Sequence, residues 1–168
     1  SAQCLDATGC GGCAGKLQYD RKKSSTYTAE TCEPLFVPYG TGFVLGFISQ
    51  DTVGVGAIQV AAQEFGEALY MADFFAAFPF DGILGLAYVE IAVDGIAPVF
   101  QTMWEQGLLA QNLFSVYLDS CYACGGNASF VLFGGVDRAR FTGPITWADV
   151  LFPSYYLIDM RSIHVGGA

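Results

Sequence analysis

Six cysteines and one histidine have the widest chemical repertoire in this 168-residue sequence. Two cysteine pairs have C-x-x-C spacing, Cys10/Cys13 and Cys121/Cys124, while Cys4 and Cys32 stand apart. Four thiolates could hold zinc tetrahedrally. The two pairs, however, lie much farther apart than the roughly 12–20 residues between the halves of a zinc finger or ribbon. A dithiol redox centre belongs at a strand-to-helix turn, whereas Cys121-Tyr122-Ala123-Cys124 falls between two strand-like runs. His164 would have to be the base of any Ser-His-Asp or Cys-His mechanism. It sits in the strand-like alternation Ile163-His164-Val165, and no G-x-S-x-G occurs. No Gly-rich loop leads into a helix, as phosphate binding requires. The cysteines therefore read as structural disulfides of an oxidising compartment, with their pairing open, and neither metal nor cofactor is expected. Asn127-Ala128-Ser129 follows a Cys-Gly-Gly turn and is a candidate glycosylation site on a hairpin tip.

The elements that would carry any site are short strands. Runs 36–39 and 43–48 flank Gly40-Thr41-Gly42 and predict a β-hairpin. Runs 52–55, 58–65, 80–84, 113–118, 130–133, 145–150 and 155–165 continue the series. One helix is predicted: Pro98 suits its first position, Phe100, Met103 and Trp104 share a face, and Gly107 stops it. No repeat, linker or low-complexity tract breaks the chain.

An apolar content of 53%, with 21 glycines and 14 phenylalanines, fits short strands, tight turns and aromatic packing. No apolar run reaches the ~18 uncharged residues that would span a bilayer. Sixteen acidic against seven basic residues leave a net charge of -9, and no lysine or arginine falls between Ser24 and Asp137. Nucleic acid would be repelled by so acidic a middle. In acid, once the carboxylates protonate, the few cations left repel one another little, which weakens one drive toward acid unfolding. The sequence opens at Ser1 without a basic or apolar leader, so a processed or excised piece is expected.

Four stretches follow one another along the chain: Tyr39-Gly40-Thr41-Gly42, Phe80-Asp81-Gly82-Ile83-Leu84-Gly85-Leu86, Leu113-Phe114-Ser115-Val116-Tyr117-Leu118 and Phe133-Gly134-Gly135-Val136-Asp137. Gly143, Trp147 and Tyr156-Leu157-Ile158-Asp159 follow them. In this order and spacing they resemble the pepsin family of aspartic endopeptidases, from about residue 19 to residue 167. The resemblance implies a mainly β, pepsin-like acid protease fold with one or more short helices. Residues 1–148 would form most of the N-terminal lobe, and residues 149–168 the inter-lobe strand and the start of the C-terminal lobe. It further implies that two carboxylates in separate lobes share a proton and activate a water against a peptide carbonyl. A flap would close over the polypeptide substrate. Tyr39 would be the flap tyrosine, Gly40, Thr41 and Gly42 would offer backbone contacts, and Phe74, Phe80 and Ile83 would line the pocket beside the scissile bond. Phe75 or Phe78 could replace Phe74, and plain core packing competes for all three.

The pattern departs from the family at its centre. No Asp-Thr-Gly or Asp-Ser-Gly occurs: Asp6-Ala7-Thr8-Gly9 lies in the Cys-rich opening, and Asp51-Thr52-Val53 matches an ordinary strand after the flap. Asp81 belongs to the F-D-G run and is expected to be structural. No catalytic residue is therefore expected in this chain, and its partners would be the missing N- and C-terminal segments of the same enzyme. Such an enzyme would be secreted, or lysosomal or vacuolar. The alternative is a non-catalytic peptide- or protein-binding module that keeps the cleft walls without the acids.

Overall fold

A computed structural model describes residues 12–28, 33–40, 42–119 and 129–163 of the protein. The expectations for Cys4, Cys10, Cys32, Thr41, Cys121, Cys124, Asn127 and His164 lie outside the described residues. The main sheet has three antiparallel strands in the order β1 (Pro34–Tyr39), β2 (Gly42–Val55) and β3 (Ile58–Met71). The predicted 36–39/43–48 hairpin is its first half, with Tyr39 opposite Gly42 and Leu35 opposite Gly46. The runs 43–48 and 52–55, read separately in the sequence, form one strand. Register shifts at Leu45/Gly46 and Asp51/Val53 let the long β2–β3 ladder bend without ending.

The core gathers under the turn end of this ladder. Val60 of β3 and Met103 are fully buried, with Val99 and Leu109 beside them. Met103 and Val99 belong to helix α1 (Val99–Glu105), and Phe133 packs on the cluster from a second hairpin, β4 (Phe114–Tyr117) with β5 (Phe130–Phe133). The helix begins one residue after Pro98, which takes the N-cap position rather than the first turn. It stops as expected at Gly107, whose φ of +69° suits a residue without a Cβ. There the N–H of Gly107 donates to Trp104 O and that of Leu108 to Met103 O, a Schellman closure. Trp104 departs from the shared face predicted for it and is 43% exposed.

Three predicted strands do not form among the described residues. Residues 80–84, 145–150 and 155–163 are extended or irregular, and the last has one isolated bridge, Pro153 to Tyr156. Strand-forming composition gives the capacity to join a sheet, but a strand also needs a neighbour to close its ladder. No helix among the described residues is long and apolar enough to cross a membrane.

Candidate functional site

The tip of the β1–β2 hairpin comes down on a short 3-10 helix, Asp73–Ala77, that follows β3. Glycine at 42 makes that approach possible, because a Cβ there would stand 2.8 Å from the Ala72 Cβ. Phe75 is buried, and its ring meets the Tyr39 ring edge-on at a centroid distance of 5.2 Å. From Phe75 a chain of rings continues through Phe74 (5.6 Å), Phe78 (4.9 Å) and Phe80 (5.3 Å). Offset and edge-on rings of this kind gain roughly 0.5–1.5 kcal/mol per pair beyond the area they bury. Aromatic contacts thus connect the hairpin tip to the F-D-G run.

Beside this chain opens a cleft of about 680 Å³. Tyr39, Phe75, Phe80 and Ile83 line it, so three of the residues predicted from sequence meet there. Phe74 stands outside the lining, 43% exposed and packed between Phe75 and Phe78. Gly40 and Gly42 hold the tip without lining the cleft. Nothing in the sequence separates Phe74 from Phe75, since a 3-10 turn can point either ring inward.

A segment before β1, residues 12–28, forms another wall of the cleft and is clamped across β2 and β3. The clamp centres on Asp51, a buried carboxylate. It accepts hydrogen bonds from the hydroxyls of Thr26 and Tyr19 and from its neighbour's N–H, Thr52 N, at 2.7 Å. Donation by Thr26, Tyr19 and Ser24 holds its pKa well below the usual carboxylate range. Tyr19 moves the opposite way: burial, then its bond to the Asp51 carboxylate, raises the phenol. Next to it, Ser49 Oγ donates to Glu67 Oε2 at 2.7 Å, and Arg21 Nε lies 3.6 Å from Glu67 Oε1. The Arg21 guanidinium also sits 4.5 Å above the Phe47 ring. Sequence reading passed over this clamp. Its signal was the hydroxyl run Ser24-Ser25-Thr26-Tyr27, whose donors need an acceptor once covered.

These features bear on what the site can do. Asp51 is saturated by donors and held as a structural anion, which leaves it unsuited to moving protons. The Asp81 carboxylate accepts from Leu17 N at 3.0 Å and shapes the wall, as expected from the sequence. Among the described residues no group of three His, Cys, Asp or Glu side chains could hold a metal. Gln63 lines the inner cleft, its Nε2 donating to Glu64 O and Ala97 O while its buried Oε1 has no partner among the described residues. A buried acceptor of this kind calls for an incoming N–H or O–H. The arrangement can enclose an apolar or extended-chain ligand; of the acids in its lining, Asp81 accepts from Leu17 N and Glu67 from Ser49 Oγ.

Comparison with known proteins completes the picture. The family model described as eukaryotic aspartyl protease matches residues 2–168. Pepsin II-2/3 of Oryctolagus cuniculus is 42% identical over 156 residues, which cover 92% of this chain and 39% of that protein. Pepsin A of Sus scrofa is 42% identical over 156 residues, 92% of this chain and 40% of its own length. Pepsin A of Rhinolophus ferrumequinum reaches 43%, over 92% of this chain and 39% of its length. The chain thus spans about 39–40% of the length of these relatives.

Proposed function

This chain belongs to the eukaryotic aspartyl protease family, and on that premise we propose that it is the flap-bearing part of an acid endopeptidase that hydrolyses protein substrates. Residues 1–148 make most of the N-terminal lobe in this reading, and residues 149–168 begin the passage to the second. The observation that carries it is the meeting of Tyr39, Phe75, Phe80 and Ile83 around one cleft beneath the tip of the β1–β2 hairpin. A lid of this form excludes water and strengthens the polar contacts inside, while its apolar walls fit a bulky side chain next to the scissile bond. The chemistry needs two acids sharing a proton, a coupled pair of the kind known for pepsin. The 168 residues contain neither Asp-Thr-Gly nor Asp-Ser-Gly, so both acids belong to flanking segments of the same protein, and the chain by itself is inactive.

The inner cleft supports that division. A volume of about 680 Å³ exceeds what one substrate side chain fills, and its deeper lining includes Leu35, Ile48 and the Oε1 of Gln63, which has no partner among the described residues. We assign this inner part to the segment bearing the first acid, and the part under Tyr39 to substrate. Support for a secreted, lysosomal or vacuolar setting comes from Cys13, which is buried and disulfide-bonded, and from the sequon at Asn127.

The test uses the full-length product. It should hydrolyse a denatured protein at acid pH and be blocked by a statine-type transition-state mimic, whereas the 168-residue chain alone should do neither. A full-length product that binds statine-containing peptides without hydrolysing any would establish the second reading, a peptide-binding module; the missing Asp-Thr/Ser-Gly turns are what favour that reading.

A further inference from the structure

The pocket wall at residues 78–85 is held in an unusual way. It carries Phe80 and Ile83, 40% and 61% exposed, yet it belongs to no strand or helix. Among the described residues, two hydrogen bonds reach residues 79–85, and both come from one short piece of chain. Lys16 Nζ donates to Phe80 O at 3.0 Å, and Leu17 N donates to Asp81 Oδ1 at 3.0 Å. Lys16 Nζ also donates to Phe78 O. The same ammonium lies 5.6 Å from the centroid of the Phe80 ring.

We propose that Lys16 is a positioning residue for the apolar substrate pocket, fixing the Phe78–Phe80 main chain and thereby the ring that forms the pocket's wall; this rests on the protease reading above. Lysine suits the task because an ammonium offers three donors and needs no acceptor, so it can satisfy two carbonyls two residues apart. Bonds from a charged donor are roughly twice as strong as neutral ones, and attraction of the cation to the ring face favours one placement of Phe80. A wall without a ladder of its own takes its geometry from such tethers. Phe80 stacks on Phe78, and the ring chain runs from there through Phe74 and Phe75 to Tyr39. The position of Lys16 therefore bears on the fit between wall and lid. A loosened wall binds a bulky residue less well than a small one, which changes selectivity more than the chemical step.

The experiment compares the full-length protein with Lys16→Met, which keeps the stem and removes the cation, and with Lys16→Arg, which keeps a donor cation. Two fluorogenic peptides differ only in phenylalanine or alanine before the scissile bond. The expected result is a roughly five- to tenfold fall in the phenylalanine/alanine ratio of kcat/KM for Lys16→Met, carried by KM, with most of the ratio regained in Lys16→Arg. Should Lys16→Met fail to fold, the ratio is read in Lys16→Gln, which removes the charge and shortens the reach while keeping a polar side chain. An unchanged ratio in the folded variant overturns the proposal, whatever happens to Tm, because a purely structural role would lower the active fraction for both peptides alike. A wild-type protein that cleaves neither peptide overturns the protease reading and this proposal with it; cleavage with an unchanged ratio overturns this proposal alone.

Discussion

The two ends of the β2–β3 hairpin are built on opposite terms. At the turn end, Val60 and Met103 are sealed from solvent, with Val53, Val55, Ile58 and Leu86 packed around the cluster. At the other end, the linked β1–β2 tip rests on Phe75 through one edge-on ring contact, and Tyr39 stays 40% exposed. Between them the Asp51 clamp ties the strand to residues 12–28. The same ladder hydrogen bonds run throughout, so the ladder is not what distinguishes the ends. Burial at one end supplies stability, whereas the other is held by half-exposed ring contacts and the close approach of Gly42 to Ala72.

The largest break in this comparison should come from the sealed end. Met103→Ala removes a fully buried side chain from the helix–sheet junction and should cost about 2–5 kcal/mol in urea unfolding, because close-packed neighbours fill the gap only partly. If the ends are energetically separate, that loss should add to the effect of any change at Tyr39 within about 0.5 kcal/mol. A strongly non-additive pair would show that the tip and the core respond as one.

The clamp in the middle should have a smaller effect with its own pH signature. Asp51→Asn replaces an anion that accepts from Thr26, Tyr19 and Thr52, at a cost of about 1.5–3 kcal/mol near neutral pH. The native carboxyl titrates well below its unfolded value, so its contribution is fully present above about pH 4. It is lost as the pH falls below that toward the native pKa. The stability gap between the wild type and Asp51→Asn should therefore hold steady from neutral pH to about pH 4 and narrow below it. A gap that widens in acid would show that the carboxylate is not the group being held. A native pKa this low keeps the clamp charged in acid where ordinary carboxylates have protonated, which suits the setting proposed for the enzyme.

Legibility in the sequence followed the same division. The β1–β2 hairpin and helix α1 were readable because each is closed by near neighbours, a glycine-bearing turn in one case and a cap at Gly107 in the other, and β4 and β5 were readable as apolar runs. The family was legible from the order of its motifs. Residues 80–84 misled because Phe80, Ile83 and Leu84 have strand composition, while the partner that would make them a strand is not a property of the run itself. The clamp escaped because Tyr19, Thr26 and Asp51 are distant in sequence, and only the fold shows that one carboxylate serves all these donors. Lys16 escaped for a related reason. Its acceptors are main-chain carbonyls, which leave no trace in residue identity.

The smallest effect on folding is expected at the exposed tip, where it is also most informative. The Tyr39 ring supplies the edge-on contact with Phe75, and its hydroxyl has no hydrogen-bond partner among the described residues. Tyr39→Phe keeps the ring and deletes only that hydroxyl, so unfolding free energy should change by less than about 0.5 kcal/mol. With folding unchanged, any loss of kcat/KM in the full-length protein reports a contact that the hydroxyl makes only when the lid is closed on a ligand. A loss of roughly tenfold or more would match one hydrogen bond made in that closed state. A destabilisation comparable to that of Met103→Ala would mean that the tip is as firmly built in as the turn end, and the asymmetry between the two ends would be gone.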